Sequence, residues 1–165
     1  MEPTFTYATI NDLPEIVQIY NQTIAGRKAT ADLEPVSVAD RIEWFKQHNA
    51  AHRPLWLIKL ADKTVGWISL TDFYGRAAYD HTVEISIYID ENVRGQHLGT
   101  AALTFVEQNV AKFGIETVLA YIFGHNKVSQ ALFRKFGYEK WGHLPEVAEL
   151  DGVKRDLDIF GKRYI

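Results

Sequence analysis

Apolar and polar residues alternate strictly through Thr82–Ile89. Val83 and the three isoleucines occupy every second position, which predicts a strand with one face in the core. Glu84 lies on the opposite face, beside Ser86 and Tyr88. A carboxylate therefore stands in a strand whose other residues indicate burial, and this makes Glu84 a first candidate for chemistry.

Elsewhere the apolar spacing changes between the strand period and the helix period. Helical spacing, with capping residues before it or a glycine after it, predicts four helices. They cover residue 11 or 12 to about 24, a segment starting at Ser37, residues 98–113 and residues 126–137. Strand-like runs cover residues 4–9, 55–60, 64–71, 82–89, 117–123, 138–143 and 154–160.

The order of these elements predicts the fold class. It reads strand, two helices, three strands, helix, strand, helix, two strands, and the strand–helix–strand section in the middle implies at least one parallel crossover. We therefore expect a mixed α/β (α+β) fold with a mostly antiparallel sheet and helices on both faces. Prolines and glycines are dispersed, so residues 1–165 should form one domain.

The composition is that of an ordinary globular protein. Of the 165 residues, 47% are hydrophobic and 24% are charged. The net charge of −3 comes without a basic stripe, so we expect no nucleic-acid partner. The chain has no cysteine, which excludes a disulfide framework, a thiolate nucleophile and a Cys-bound metal.

Signals for export, membrane insertion and metal binding are weak. The first residues lack the basic segment and apolar core of a signal peptide, and no apolar run approaches the roughly 18 residues that span a bilayer. We therefore expect no membrane partner and a cytoplasmic location. His48 and His52 have helical metal-ligand spacing, but no third ligand is nearby, so no metal site is expected.

A glycine-bearing loop and a helix follow the strand that carries Glu84. The first amides of a helix and the positive end of its dipole attract phosphate without a lysine. Gly95 and Gly99 let the backbone approach an anion, and Arg94 adds positive charge. The segment is neither a P-loop nor a dinucleotide fingerprint. It is a candidate pyrophosphate cradle, although the two glycines are equally compatible with a purely steric role.

The same loop carries a family resemblance. Residues 94–99 read RGQHLG, which is similar to the Arg/Gln-x-x-Gly-x-Gly/Ala loop of the GNAT N-acetyltransferases. His97 stands in place of the first glycine of that pattern, a difference that bears on the affinity for CoA. Asn126-x-x-Ser129, followed by residues 132–138, resembles the second CoA-contacting segment of the family.

More narrowly, the chain resembles the phosphinothricin and methionine sulfone/sulfoximine acetyltransferases from near its start to its end. The order and spacing of the matching pieces make this resemblance specific. The pieces are Ile19-Tyr20-Asn21 with Thr30, Trp44-Phe45, Val65-Gly66-Trp67, Ala78-Tyr79, Thr82-Val83-Glu84, Gly142 and Leu157-Asp158.

The resemblance implies acetyl-CoA as the co-substrate and a set of residues that bind it. In the family, strand-edge amides pair with the pantetheine arm as an additional strand would, and one amide faces the thioester oxygen. The implied cofactor-binding residues are Ile87, Tyr88, Ile89, Arg94, Gly95, Gln96, His97, Leu98, Gly99, Thr100, Asn126 and Ser129.

Glu84 is the candidate general base, because a partly desolvated carboxylate has a raised pKa suited to accepting an ammonium proton. The alternative is a glutamate that pairs with an arginine or caps a loop. Many family members have a tyrosine acid where this chain has Phe133, which has no proton to give. Either the thiolate leaves unassisted, or Tyr121 or Tyr138 serves instead.

The expected acceptor is the primary amine of a small amino acid or amino-acid analogue. The candidate substrate-binding residues are Phe73, Arg76, Tyr79, Tyr20 and Thr30. Arg76 would pair with a substrate carboxylate, or it is a solvated loop charge. Two alternatives stay open: an acetyltransferase for a protein N-terminus, a polyamine or an aminoglycoside, and a CoA-binding module without catalysis. The resemblance also suggests a homodimer.

Overall fold

The computed structural model describes residues 1–165. Its elements follow the predicted order: β1 (Thr4–Tyr7), α1 (Leu13–Gln22), α2 (Val38–Lys46), β2 (Leu55–Leu60), β3 (Lys63–Asp72), β4 (Thr82–Ile89), α3 (Leu98–Asn109), β5 (Thr117–Phe123), α4 (Lys127–Lys135), β6 (Glu139–Leu150) and β7 (Val153–Arg163). The strands form one sheet in the order β1-β2-β3-β4-β5-β7-β6. Only β4 and β5 pair in parallel. The predicted mixed, mostly antiparallel fold is confirmed.

Helices cover both faces of the sheet, because the central strands bury residues on both sides. On one face α3 and α4 pack over Val83 and Ile85 of β4. On the other face α1 packs over Leu55 and Leu57 of β2 and over Trp67 of β3. This two-layer burial explains why the central strands lack a solvent-facing side.

The closing hairpin is longer than the sequence pattern predicted. β6 and β7 continue to Leu150 and Val153, but their register shifts between Leu144 and Ala148. Pro145 cannot donate a ladder hydrogen bond, and Glu146 has a φ of 52°, so the alternation breaks there and resumes afterwards. The prediction stopped at this irregularity.

The end of α3 also differs in detail from the prediction. The α-helix stops at Asn109, and a 3₁₀ turn continues over Val110–Phe113. Gly114 then takes a left-handed conformation with φ 66°, as expected for a residue that ends a helix.

The parallel pair β4–β5 is short. Thr82, Val83 and Glu84 pair with residues 117–119, and beyond Glu84 the two strands separate. β4 stays paired with β3 as far as Ile89, and β5 stays paired with β7 as far as Phe123. A gap therefore opens inside the sheet at Glu84, with an unpaired strand edge on each side.

No helix in the structure combines the length and the apolar character needed to cross a membrane.

Arg53 fixes both ends of the loop between β3 and β4. Its side chain is only 3% exposed, and its Nε donates to Asp72 Oδ1 at 2.7 Å. Its Nη2 donates to the backbone oxygen of Asp80 at 2.7 Å, and its Nη1 donates to the backbone oxygen of His52. Asp72 and Asp80 flank residues 73–79, so one buried guanidinium holds the two ends of this loop together.

Replacing Arg53 with methionine should lower the free energy of unfolding by about 2 kcal/mol, because one carboxylate and two backbone oxygens lose a charged donor. The loss stays moderate because water can reach Asp72, whose side chain is 56% exposed. Urea denaturation followed by circular dichroism measures the change. The matched control is Arg163→Met, which removes an exposed arginine without an ion pair and should leave the midpoint unchanged. Equal midpoints for both variants would contradict the role of Arg53.

Candidate active site

Glu84 lies where two clefts meet. The larger cleft, of about 920 Å³, occupies the gap between β4 and β5 and extends to the start of α3. The smaller cleft, of about 340 Å³, lies between the sheet and helices α1 and α2. Glu84 lines both, so a molecule in either cleft can approach its carboxylate.

All twelve residues that the sequence assigned to the cofactor line the larger cleft. They come from the edge of β4, from the loop before α3 and the start of that helix, and from the start of α4. Thr30, which the sequence assigned to the acceptor, lines this cleft as well, while its hydroxyl contacts the Tyr20 hydroxyl. Tyr20 lines the smaller cleft.

The start of α3 presents free amides to the larger cleft. The N–H groups of residues 96–100 have no acceptor within the protein, and no side chain caps this helix. Gly95 has a φ of 82°, and His97 has φ 57° and ψ 30°, the left-handed conformation that glycine adopts most readily. The histidine therefore preserves the backbone conformation available to the glycine it replaces.

Gly99 has a steric role in addition. A Cβ atom at this position would lie 2.9 Å from Leu132 Cδ2, so the absence of a side chain lets α3 pack closely against α4. The structure therefore gives this glycine a steric role.

The pairing of β4 determines which of its amides face the gap. The N–H of Asp90 donates to Val65 O on β3, and N–H groups alternate sides along an antiparallel strand. The amides of Ile87 and Ile89 therefore point away from β3 into the larger cleft, whereas the amide of Tyr88 points toward β3. The amides of the two isoleucines are therefore open to the cleft, and Tyr88 also lines it.

The segment of residues 27–29 bridges the gap, because it is hydrogen-bonded to β4 on one side and to residues 125 and 126 on the other. The carbonyls of residues 27, 28 and 29 accept hydrogen bonds from His125 Nε2 at 2.6 Å, Asn126 Nδ2 at 3.1 Å and the Tyr88 hydroxyl at 3.2 Å. Asn126 Oδ1 also accepts the Ser129 amide at 3.3 Å. Asn126 is thus occupied by protein contacts, and the Ser129 hydroxyl remains free. No local sequence pattern predicts this bridging segment.

The carboxylate of Glu84 has no protein partner. No hydrogen bond or ion pair reaches either carboxylate oxygen, so the alternative of a structural pair with arginine is not found. Burial raises the pKa of Glu84 above the ordinary value for a glutamate. A half-buried, unpaired carboxylate with a raised pKa is suited to accept a proton.

The two tyrosines considered as acids differ in position. Tyr121 lines the larger cleft, and its pKa is raised by burial first and then by the negative charge of Glu84. Tyr138 is buried against Phe133, hydrogen-bonded to the Tyr164 hydroxyl at 2.9 Å, and lines neither cleft. Of the two, Tyr121 is placed to give a proton to a group in the larger cleft.

The smaller cleft contains an arginine that the sequence interpretation missed. Arg41 Nη2 donates to Asp32 Oδ2 at 2.8 Å, and the Tyr20 hydroxyl donates to the same carboxylate. The Arg41 guanidinium lies 4.7 Å from the centre of the Tyr20 ring. The available signal was the three-residue spacing of Arg41 and Trp44, which places both on one face of α2.

The loop of residues 73–79 lies outside both clefts. Phe73, Arg76 and Tyr79 line neither of them. The rings of Phe73, Tyr74 and Tyr79 pack on one another with centroids 5.3 to 5.7 Å apart, and Tyr74 is 71% exposed. The structure therefore does not bring the three loop candidates together with Glu84.

The two histidines with metal-ligand spacing have different partners. His48 Nδ1 contacts the backbone oxygen of Trp44 at 3.0 Å, and His52 Nε2 contacts Asp80 Oδ1 at 3.1 Å. The structure has no group of three or more histidine, aspartate or glutamate side chains arranged to hold a metal ion.

Comparison with known proteins identifies the family. Residues 14–138 match the acetyltransferase (GNAT) family. The Bacillus subtilis (strain 168) protein YwnH, provisionally named a phosphinothricin acetyltransferase, is 46% identical over 96% of this chain and 98% of its own length. An L-methionine sulfoximine/L-methionine sulfone acetyltransferase of Pseudomonas paraeruginosa (strain DSM 24068 / PA7) is 29% identical over 95% of this chain and 92% of its own length.

A solved structure agrees with these relatives. The GNAT superfamily phosphinothricin acetyltransferase (Pat) of Sinorhizobium meliloti, solved in complex with AcCoA, superposes with a TM-score of 0.91 at 26% identity. The match covers 99% of this chain and 89% of that one. This chain therefore belongs to the acetyltransferase (GNAT) family, as an acetyltransferase related to the phosphinothricin and methionine sulfoximine enzymes.

Proposed function

We propose that the protein is an acetyl-CoA-dependent N-acetyltransferase for the primary amine of a small amino acid or amino-acid analogue, of the phosphinothricin or methionine sulfone type. The observation that carries the proposal is the unpaired carboxylate of Glu84 at the junction of the two clefts. The named activities of the relatives support the acceptor class.

The larger cleft fits coenzyme A. Free amides at the start of α3, aligned with the positive end of its dipole, would hold the diphosphate, and Arg94 adds a positive charge at the same end. The Ile87 and Ile89 amides would pair with the pantetheine arm, and one of them is available to the thioester oxygen. When bound, acetyl-CoA supplies the acetyl group as a thioester.

Glu84 would act on the amine that enters from the smaller cleft. An amine attacks only as the neutral base, so the ammonium must first lose a proton to an acceptor of suitable pKa. Glu84 takes this proton directly or through one water, and its carboxylate is free to do so. Tyr121, which lines the larger cleft and carries its proton at neutral pH, would donate that proton to the leaving thiolate.

A CoA-binding module without catalysis is the second candidate. It is favoured by Phe133, which occupies the position of the usual tyrosine acid and is itself buried. The two candidates differ in one measurable property, since only an enzyme releases free CoA from acetyl-CoA faster when an amine acceptor is added.

Replacing Glu84 with glutamine should lower kcat by about 100-fold or more, because general-base catalysis contributes on the order of 10²–10⁴. Release of the CoA thiol with L-methionine sulfone or phosphinothricin as acceptor measures the rate. A kcat equal to that of the unchanged protein would remove Glu84 as the base. No amine-dependent thiol release from the unchanged protein would favour the binding module.

The raised pKa of Glu84 also predicts the direction in which the stability of Glu84→Gln changes, which serves as a folding control. Because the pKa of Glu84 is raised in the folded protein, the unfolded chain binds fewer protons between the ordinary and the raised pKa. The stability contributed by this group is therefore present below the ordinary pKa and is lost as the pH rises through the raised value. At pH 7 Glu84→Gln should unfold at an equal or higher urea concentration than the unchanged protein.

The pH dependence of kcat should report the ionisation of the Glu84 carboxylate. Glu84 is active only when ionised, so kcat should fall on acidification, beginning at a higher pH than an ordinary glutamate pKa of 4.5 would give. The Glu84→Gln variant should lack this acidic limb in its residual rate. A limb that is identical in the two proteins would assign the ionisation to another group.

A further inference from the structure

The smaller cleft contains three charged side chains: Arg41, Asp72 and Glu84. Asp72 Oδ1 is engaged by Arg53, and Glu84 has no partner. Arg41 is therefore the only cation that lines this cleft, and it shares a volume of about 340 Å³ with the proposed base. A small molecule that occupies this cleft therefore meets both the carboxylate of Glu84 and the guanidinium of Arg41.

The Arg41 guanidinium is held in place but not fully used. Nη2 donates to Asp32 Oδ2, and Cζ lies 4.7 Å from the centre of the Tyr20 ring and 5.9 Å from the centre of the Trp44 ring. Its Nε and Nη1 atoms have no acceptor in the protein. The side chain is 25% exposed and lines the cleft, so N–H groups without a protein acceptor remain available to a small molecule there.

We propose that Arg41 binds the carboxylate of the acceptor, so that the site selects amines that carry an anion in the same small molecule. The inference rests on the proposed function and specifies its acceptor. A planar guanidinium matches a carboxylate in two-point geometry, and Asp32 and Tyr20 fix its orientation beforehand. Arg76, the sequence candidate for this contact, lines neither cleft.

This arrangement separates the possible acceptors. An amino acid places its ammonium near Glu84 and its carboxylate near Arg41, so both charges meet a partner of opposite sign. A polyamine or an aminoglycoside has no carboxylate to accept from the free donors of Arg41, so these donors would gain no partner from such a molecule. The cleft therefore favours amines that carry a carboxylate over polycationic amines.

The alternative role for Arg41 is purely structural, as the partner of Asp32 on the surface of α2. A structural arginine would affect every acceptor equally, whereas a carboxylate-binding arginine would affect only acceptors that carry the carboxylate. The experiment therefore compares L-methionine sulfone with its α-carboxamide, which keeps the amine and the side chain but has no negative charge.

Steady-state rates with both acceptors are measured for the unchanged protein, Arg41→Gln, Arg41→Lys and the control Lys46→Gln. Lys46 also lies on α2 but pairs with exposed Glu43 and lines neither cleft. In Arg41→Gln, kcat/KM for the acid should fall by about tenfold or more through KM, and kcat/KM for the amide should stay within about twofold. For the acid, kcat/KM of Arg41→Lys should lie between the values for Arg41→Gln and the unchanged protein. Lys46→Gln should match the unchanged protein with both acceptors.

The acid-to-amide ratio of kcat/KM is compared between proteins, because the different basicity of the two amines contributes equally to the ratio in each protein and cancels in the comparison. An equal fall for acid and amide in Arg41→Gln, or an acid-to-amide ratio that does not change, would overturn the proposal while leaving the acetyltransferase function intact. The KM for acetyl-CoA should be unchanged in all variants. Acetylation of neither acceptor by the unchanged protein would remove the proposed function, and this inference with it.

Discussion

The parallel pairing between β4 and β5 ends at Glu84, and the site depends on that ending. If the two strands stayed paired, the Ile87 and Ile89 amides would bond to β5 and no larger cleft would exist. β4 and β5 remain fixed because each keeps its antiparallel partner on the other side. The sheet can therefore leave two edges unpaired without losing its order, and the hydrogen-bonding capacity of those edges becomes available to a ligand.

The two clefts that meet at Glu84 offer opposite chemistry. The larger cleft ends at free amides and a helix dipole, which suit a diphosphate. The smaller cleft holds an unpaired carboxylate together with the guanidinium of Arg41, which suit a zwitterion. Glu84 belongs to both because it is the last β4 residue paired with β5 and its side chain faces away from the isoleucines. The position of Glu84 in the strand pairing thus decides where the acetyl donor and the amine acceptor would meet.

The parts of the site that sequence could predict come from continuous segments. Alternation through β4, two glycines and the start of α3 lie within twenty residues, so local patterns and the family resemblance located the larger cleft. The smaller cleft gathers side chains from α1, α2, β3 and β4, and no local period reports which of them meet. Arg76 lies in the loop of residues 73–79, which was expected to line the acceptor pocket, whereas Arg41 reaches the cleft through the packing of α2 on the sheet. The length of the closing hairpin was underestimated because the strand pattern breaks at Pro145. The pairing of β6 with β7 resumes beyond that break, and a local pattern does not predict this.

The central claim is that the open β4 edge and the start of α3 bind the coenzyme through backbone amides. Hydrogen–deuterium exchange of the protein, with and without saturating acetyl-CoA, tests it directly because exchange reports on individual N–H groups. The account predicts slower exchange at Ile87, at Ile89 and at residues 96–100, with no change at the hairpin turn around Gly152. Unchanged exchange at those amides in the presence of saturating coenzyme would contradict it.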